Sequence, residues 1–332
     1  MAEAPLVSVV IPTYNRSGVI ARTINDILNQ TYSNLEIIVV DDGSTDDSQA
    51  VLKNFGNQIR VMTQNNAGPA AARNRGISAS RGEIIAFQDS DDRWAPAKIE
   101  RQVSLLQQAE ESIPCCLTNT TLFFADGRVT SSFDNAPLDP ALSEGIWMNV
   151  TEVLVTRFVM FNQAIAIRRK VLEKMGGFDE TLKCLEDYDL ALRLSFEGPW
   201  AFIREPLAIW SQGSAGSLSK KADMEQAWLK ETEMKIRKRI LDRIPDDNLG
   251  AKYKTLMQRE LRRIRRELRA TNLAESESSS RRVLGLALLR LEHYSSALFR
   301  RSPWYPKMET RPLRSRTLNN FETLSDASVG VS

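Results

Sequence analysis

The stretch "LVSVVIP", residues 6–12, decides the fold. Apart from Ser8 it is an apolar, largely β-branched run, the pattern of a strand covered on both faces. "LEIIVV" (35–40) repeats it, and residues 59–62 and 83–87 give shorter versions. Helical patterns fill the gaps. In 18–29, Val19, Ile20, Ile24, Ile27 and Leu28 share one face. "STDDSQAVLKNF" (44–55) opens with capping residue types, and 69–80 starts with proline at a first helical position. Strand–helix alternation of this kind predicts a parallel sheet with helices on both faces.

After a helix at 95–110 the pattern changes. A strand at 115–119 leads into "TLFFADGRVTSSF" (121–133), which reads as a hairpin around Asp126-Gly127. Helices are expected within 148–172, near 170–175 and at 186–196, with a strand at 163–167. Two closing strands, 201–204 and 207–210, precede "GSAGSLS" (213–219), read as a flexible link. Beyond it the chain reads as helical. One helix spans 228–244; a second carries Met257, Leu261, Ile264 and Leu268 on one stripe, with six arginines between 259 and 269; a third spans about 281–298. This gives a catalytic-type unit over 1–215, a basic helical extension over 216–301 and a loosely ordered tail over 302–332.

The chain has 332 residues and a net charge of only +2, which argues against a nucleic-acid binder. Residues 1–220 hold 20 Lys+Arg against 27 Asp+Glu, whereas 221–332 hold 24 against 15. The basic tail is read first as helical packing and second as contact with an anionic membrane. Three cysteines, Cys115, Cys116 and Cys184, make no disulfide framework and fit a reducing cytoplasmic setting. No signal peptide is legible, and no apolar run reaches the ~18–20 residues of a membrane span.

Chemistry in an open α/β sheet gathers beyond the carboxyl ends of the strands. Strand one ends in Pro12-Thr13-Tyr14-Asn15, strand two in Asp41-Asp42-Gly43-Ser44, strand four in Asp89-Ser90-Asp91-Asp92. A lone Asp at such an end is ordinarily a cap or turn residue. Three acids in four positions exceed what a turn needs. They suit a hard cation, Mg²⁺ or Mn²⁺, shared with a bound diphosphate. The Gly-rich dinucleotide fingerprint and the Walker loop are both missing.

"VSVVIPTYNR", "IIVVDDGSTDDS", "NAGPAAARNRGI" and "FQDSDDRWAP" together resemble the family 2 glycosyltransferases, over about residues 5–215. The resemblance implies a GT-A fold: a Rossmann-like mixed sheet flanked by helices. It implies an inverting enzyme that uses Mn²⁺ or Mg²⁺ to move a sugar from a nucleotide-diphosphate donor to a glycan or lipid-linked acceptor. Bacterial surface polysaccharide synthesis at the inner face of the plasma membrane is the expected setting. By position, Pro12 and Tyr14 flank the base, Asp42 bonds the base edge, and Gly68 and Arg73 line the nucleotide side. Asp89-Ser90-Asp91 matches the DxD signature, with Asp91 as metal ligand and Asp89 at the ribose or supporting the metal. Gly177-Phe178-Asp179 matches an acceptor-side loop. Glu186-Asp187 matches the pair that supplies the base, Asp187 first and Asp189 as rival. The family's late histidine is absent: Gln212 stands near its place, and the only histidine is His293. A GT-A-like binding protein without turnover is the alternative reading.

Overall fold

The computed structural model describes residues 4–212, 226–275, 278–300 and 306–313. The first strand, β1 (Val7–Thr13), is buried along its whole length. It lies between β2 (Leu35–Asp41) and β4 (Ile84–Phe87), parallel to both, and β3 (Arg60–Thr63) extends the sheet beyond β2. Helices α1 (Ile20–Leu28), α2 (Ser48–Lys53) and α3 (Pro69–Ala79) make the connections. Gly76 lets α3 lie close on β1, because a Cβ there would stand 2.3 Å from Val10 Cγ1.

The second half mixes antiparallel pairings with one long parallel one. After β5 (Arg93–Trp94) and α4 (Lys98–Gln108), β6 (Cys115–Phe123) folds back on β7 (Val129–Ser131) as the sequence predicts. The hairpin ends early, in a short α5 (Ser132–Asn135) capped by the Ser131 hydroxyl. Next come β8 (Glu144–Trp147), α6 (Val150–Thr156), β9 (Ile165–Arg168), α7 (Arg169–Met175) and α8 (Glu186–Ser195). The two expected closing strands are one strand, β10 (Trp200–Ser211), whose pairing with β6 slips between Ile203 and Ala208. Pro206 in that stretch has no N–H for the ladder, which accounts for the break in the pattern between 204 and 207. The sheet order is β11-β8-β10-β6-β9-β4-β1-β2-β3, with β5 on β10 and β7 on β6. The parallel end therefore carries the strand tips rich in Asp, and the antiparallel end lies on the far side of β4.

The expected link at 213–219 lies outside the described residues. The extension comprises α9 (Gln226–Leu241), α10 (Asn248–Ala274) and α11 (Ser279–Arg300). Asp247 caps α10 by accepting the Gly250 N–H at 2.6 Å. Met257, Leu261 and Ile264 are buried between α10 and its neighbours, so this apolar stripe packs on protein. Arg262, Arg265 and Arg269 face out, while Arg263 bonds Glu260 and Glu267. The tail corrects one expectation. Residues 306–313 are docked, and β11 (Thr310–Arg311) adds to the edge of β8. Asn149 fixes the segment, accepting the Glu309 N–H at 2.8 Å and donating to the Lys307 carbonyl at 2.6 Å. An open strand edge offers unpaired N–H and C=O groups, which this tail satisfies.

Candidate functional site

Two non-glycine residues among those described have positive φ: Asn15 (52°) and Leu185 (59°). A branched side chain in that region costs roughly 1–3 kcal/mol and is held by its surroundings. Asn15 sits where the ends of β1 and β2 meet, and Leu185 immediately precedes Glu186 at the start of α8. Asn15 follows β1; its Oδ1 accepts the Thr45 N–H at 2.7 Å and its own N–H donates to Ser44 Oγ at 2.9 Å. The turn therefore joins the ends of β1 and β2. Tyr14 beside it is 43% exposed, as a stacking residue needs to be, and Pro12 is buried in the sheet.

Asp42 is buried, and its carboxylate is largely occupied by the chain itself. It accepts the N–H groups of Ala67 (2.9 Å) and Gly68 (2.8 Å) and the amide of Gln64 (2.7 Å). Gly68, at φ 93°, then starts α3. In this state Asp42 shapes the 64–68 loop, and a base edge would meet that loop as well as the acid. Asp42→Ala should lower nucleoside diphosphate affinity in EDTA as well as in Mn²⁺, since bonds to a buried charge contribute about 1.5–3 kcal/mol each. Calorimetric titration checks this; equal EDTA affinities for variant and wild type would leave Asp42 no part in nucleotide binding.

Helix α3 joins the two halves of the site. Arg73, 4% exposed, donates to Asp89 Oδ1 at 2.6 Å and to Glu186 Oε1 at 2.8 Å. The next residue, Asn74, grips the acceptor-side loop. Its Oδ1 accepts the Phe178 N–H at 2.8 Å, and its Nδ2 donates to the Phe178 carbonyl at 2.9 Å. Gly177 permits that grip: its φ is 70°, and a Cβ would lie 2.4 Å from Asn74 Oδ1. Phe178 is buried edge-on against Phe87.

The acids differ in what they are free to do. Asp89 is committed to Arg73, which favours a supporting role over direct ligation of a metal. Asp91, 20% exposed at its side chain, lies 3.7 Å from Arg16 Nη2. Asp92 is buried; desolvation and the neighbouring Asp89 and Asp91 raise its carboxyl well above the usual range, and the Ser211 backbone bonds to it. No cluster of three or more His, Cys, Asp or Glu side chains placed to hold a metal occurs among the described residues. Mg²⁺-type ions take one or two carboxylates and complete their shell with phosphate oxygens, and Asp91 is the partly exposed carboxylate of this turn. Asp91 would hold the ion.

Glu186 and Asp187 open α8 and divide the work. Glu186 pairs with Arg73. Among the described residues, Asp187 accepts its neighbour's backbone N–H alone, from Tyr188 at 2.7 Å. Desolvation and then the charge of Glu186 raise its pKa to about 8. An ordinary aspartate in the unfolded chain titrates near ~3.9. A raised carboxyl binds its proton in the folded state first, so its contribution to stability is full below ~4 and is lost as pH rises through about 8. Asp187→Asn should therefore melt level with wild type near pH 4 and several degrees or more above it at pH 8.5, without metal or nucleotide. A melting difference that stays constant across that range would refute the raised carboxyl.

Three expected site residues face elsewhere. Asp179 bonds the Thr181 N–H and hydroxyl and pairs with Arg239 of α9. The rival base, Asp189, is fully buried between Arg193 and Arg239, so it has no access to a substrate proton. Gln212 accepts the Ala125 N–H at 3.2 Å, which ties it to the β6–β7 hairpin. The His293 side chain lies outside the described part. Sequence reading missed Arg16, Asn74 and Arg239. The first two stand inside the quoted motifs "PTYNR" and "AARNRG", whereas nothing in the sequence pairs residue 239 with residues 179 and 189.

The chain is similar to known glycosyltransferases. Residues 8–143 match the model of glycosyl transferase family 2. An uncharacterized glycosyltransferase of Rickettsia typhi is 32% identical over 187 residues, 56% of this chain and 58% of that protein. Escherichia coli chondroitin synthase is 31% identical over 209 residues, 62% of this chain and 29% of that one. The chain thus spans well under two thirds of the length of either relative. Among solved structures, S. aureus TarS 1–349 in complex with UDP-GlcNAc superposes with a TM-score of 0.64 at 17% identity, covering 86% of this chain and 80% of that one. The mannosyltransferase PcManGT of Pyrobaculum calidifontis, in complex with GDP-Man and Mn²⁺, gives 0.58 at 17%, covering 90% and 87%. These likenesses establish the architecture.

Proposed function

We propose that this chain, whose residues 8–143 match the family 2 glycosyltransferase model and whose architecture is that of GT-A enzymes, is an inverting, metal-dependent enzyme that moves a sugar from a nucleotide-diphosphate donor to an acceptor hydroxyl. The observation that carries the reading is the Arg73 clamp, which ties the DxD acid Asp89 to Glu186 and so sets the adjacent Asp187 across the crevice from the donor side. Tyr14 and the 64–68 loop braced by Asp42 take the nucleotide. Asp187 accepts the proton of the attacking hydroxyl, on the face opposite the leaving diphosphate. A divalent cation on Asp91 would supply charge compensation to that diphosphate. Glu186 is paired with Arg73, which leaves Asp187 to take the proton. Polysaccharide or glycoconjugate synthesis is the setting the relatives suggest. The test is release of nucleoside diphosphate from a panel of UDP- and GDP-sugars, with Mn²⁺ and with EDTA. Release that needs Mn²⁺ supports the reading; binding of nucleotides with no turnover of any donor and acceptor pair would favour the alternative without catalysis.

A cytoplasmic enzyme touching the inner membrane face fits the extension. No described helix is long and apolar enough to cross a membrane. On α11, however, Val283, Leu284, Leu286 and Leu291 are 49–67% exposed, and Arg281, Arg282 and Arg290 are exposed beside them. Such a helix can lie in a lipid surface. Binding to liposomes should require anionic lipid and weaken with salt, since each Arg near the surface contributes about 1 kcal/mol. Leu286→Ser with Arg290→Gln should abolish co-sedimentation and spare turnover. Equal sedimentation with neutral liposomes would contradict this.

A further inference from the structure

Helix α8 starts from an unfavourable turn. Leu185, which precedes it, is held at φ 59°, and among the described residues no side chain caps the helix. Three acids, Glu186, Asp187 and Asp189, share the first turn. A helix N-terminus favours negative charge, but carboxylates this close also repel one another. Cations from elsewhere in the chain answer two of them. Arg73 pairs with Glu186, and Arg239 of α9 pairs with Asp189. Asp187 stands between.

Helix α9 touches this turn on both sides of Asp187. On the near side, the Thr232 hydroxyl and the Cys184 thiol are hydrogen-bonded. On the far side, the Arg237 guanidinium lies 5.2 Å from the centroid of the Tyr188 ring. Arg239 bonds Asp189 with one nitrogen and Asp179 of the 177–179 loop with the other. Thr232 and Arg239 are about two helical turns apart and so share one face of α9. The Arg239 side chain is 35% exposed and Asp189 is fully buried, so the arginine reaches inward from the surface of the extension.

We infer that α9 belongs to the working site, and that Arg239 is a positioning residue: it holds the first turn of α8, and with it the Asp187 carboxylate, in line with the acceptor hydroxyl. Its planar fork can face two carboxylates at once in fixed geometry, which a lysine ammonium does not reproduce. Arg193 also ties Asp189 to the Gly177 carbonyl, but from within α8 itself. Arg239 is the tie that comes from the extension. The role rests on the proposed transferase reading, in which Asp187 is the base, and makes the helical extension necessary for full turnover.

The test uses the full chain. Arg239→Gln removes the charge and strands no carboxylate, since Asp189 keeps Arg193 and Asp179 keeps the Thr181 N–H and hydroxyl. Its kcat should fall about ten- to a hundredfold, the scale set by displacing a reacting group by about an ångström. The donor KM and the affinity for nucleoside diphosphate should hold, and Arg239→Lys should recover part of the loss. In the Asp187→Asn background Arg239→Gln should cost nothing further, because a residue that acts through the base has nothing left to act on. Amide exchange without substrate should quicken at 185–190 in Arg239→Gln and stay unchanged along β1 and β4. The inference is overturned if kcat is unchanged, or if donor affinity falls with it. It is also overturned if the loss is as large in the Asp187→Asn background, which is the mark of a structural staple. If Arg239→Gln fails to fold, Arg239→Lys carries the same cycle. Wild-type protein that turns over no donor would sink the transferase reading, while exchange at 185–190 still decides whether Arg239 holds the turn.

Discussion

Replacing Asp187 with asparagine is expected to lower kcat by about a hundredfold or more while the affinity for nucleoside diphosphate stays near wild type. Asparagine keeps the size and can still accept the Tyr188 N–H, but it takes no proton. The wild-type kcat should rise with pH as Asp187 ionises, and the variant should lose that acidic limb. Substrate and cation add positive and negative charge around the group, so the limb in the working complex reports their balance as well as the burial that raises the carboxyl in the free protein. Steady-state kinetics from pH 5 to 9 on both proteins decide the point. A variant with unchanged kcat and weakened donor binding would move Asp187 to the donor site. The structure has already removed Asp189 as a substitute, because both of its oxygens face arginines in a fully buried position.

Asp91→Ala is expected to remove metal-dependent turnover, by about 10²–10³-fold, the scale seen when one stabiliser of developing charge is deleted. The carboxylate stands at the mouth of the crevice opposite Arg16. Without it the arginine remains, so metal-free nucleotide binding should persist or tighten. Measuring nucleoside diphosphate release against Mn²⁺ concentration separates the roles. Near-normal turnover with an unchanged metal dependence would exclude Asp91 as the ligand. The two variants differ in signature: Asp91→Ala changes the response to metal, and Asp187→Asn changes the response to pH.

Arg73 explains why single substitutions here are informative only in pairs. It is a buried cation with carboxylates on both sides. Removing it would leave Asp89 and Glu186 uncompensated, a loss of about 3–5 kcal/mol for a buried pair. A loss of activity in such a variant would mix catalysis with folding. The asparagine and alanine changes at 187 and 91 avoid this, since neither breaks the clamp.

The parallel half was legible from local patterns. A short, β-branched, nearly unbroken apolar run bounded by turn residues fits a strand buried on both faces, so β1, β2 and β4 followed from composition and length. Their ends followed too, because the chain turns polar where the sheet stops, and this located Tyr14, Asp42, Asp89 and Asp91 at one rim. The antiparallel half was less legible. β5, β8 and β11 are short or edge strands whose pairing depends on what arrives beside them; β11 exists because the edge of β8 was open. Sequence spacing also could not say which acid in a cluster is free. That depends on partners 16 to 113 residues away, as Arg73 shows with Asp89 and Glu186. The amino-acid sequence determined the sheet, its acidic rim and the family motifs, because these rest on periodicity and local composition. Tertiary structure alone decided that Asp179 and Asp189 are anchored by Arg239 and that Arg73 joins Asp89 to Glu186, because burial and charge pairing belong to residues brought together only by folding.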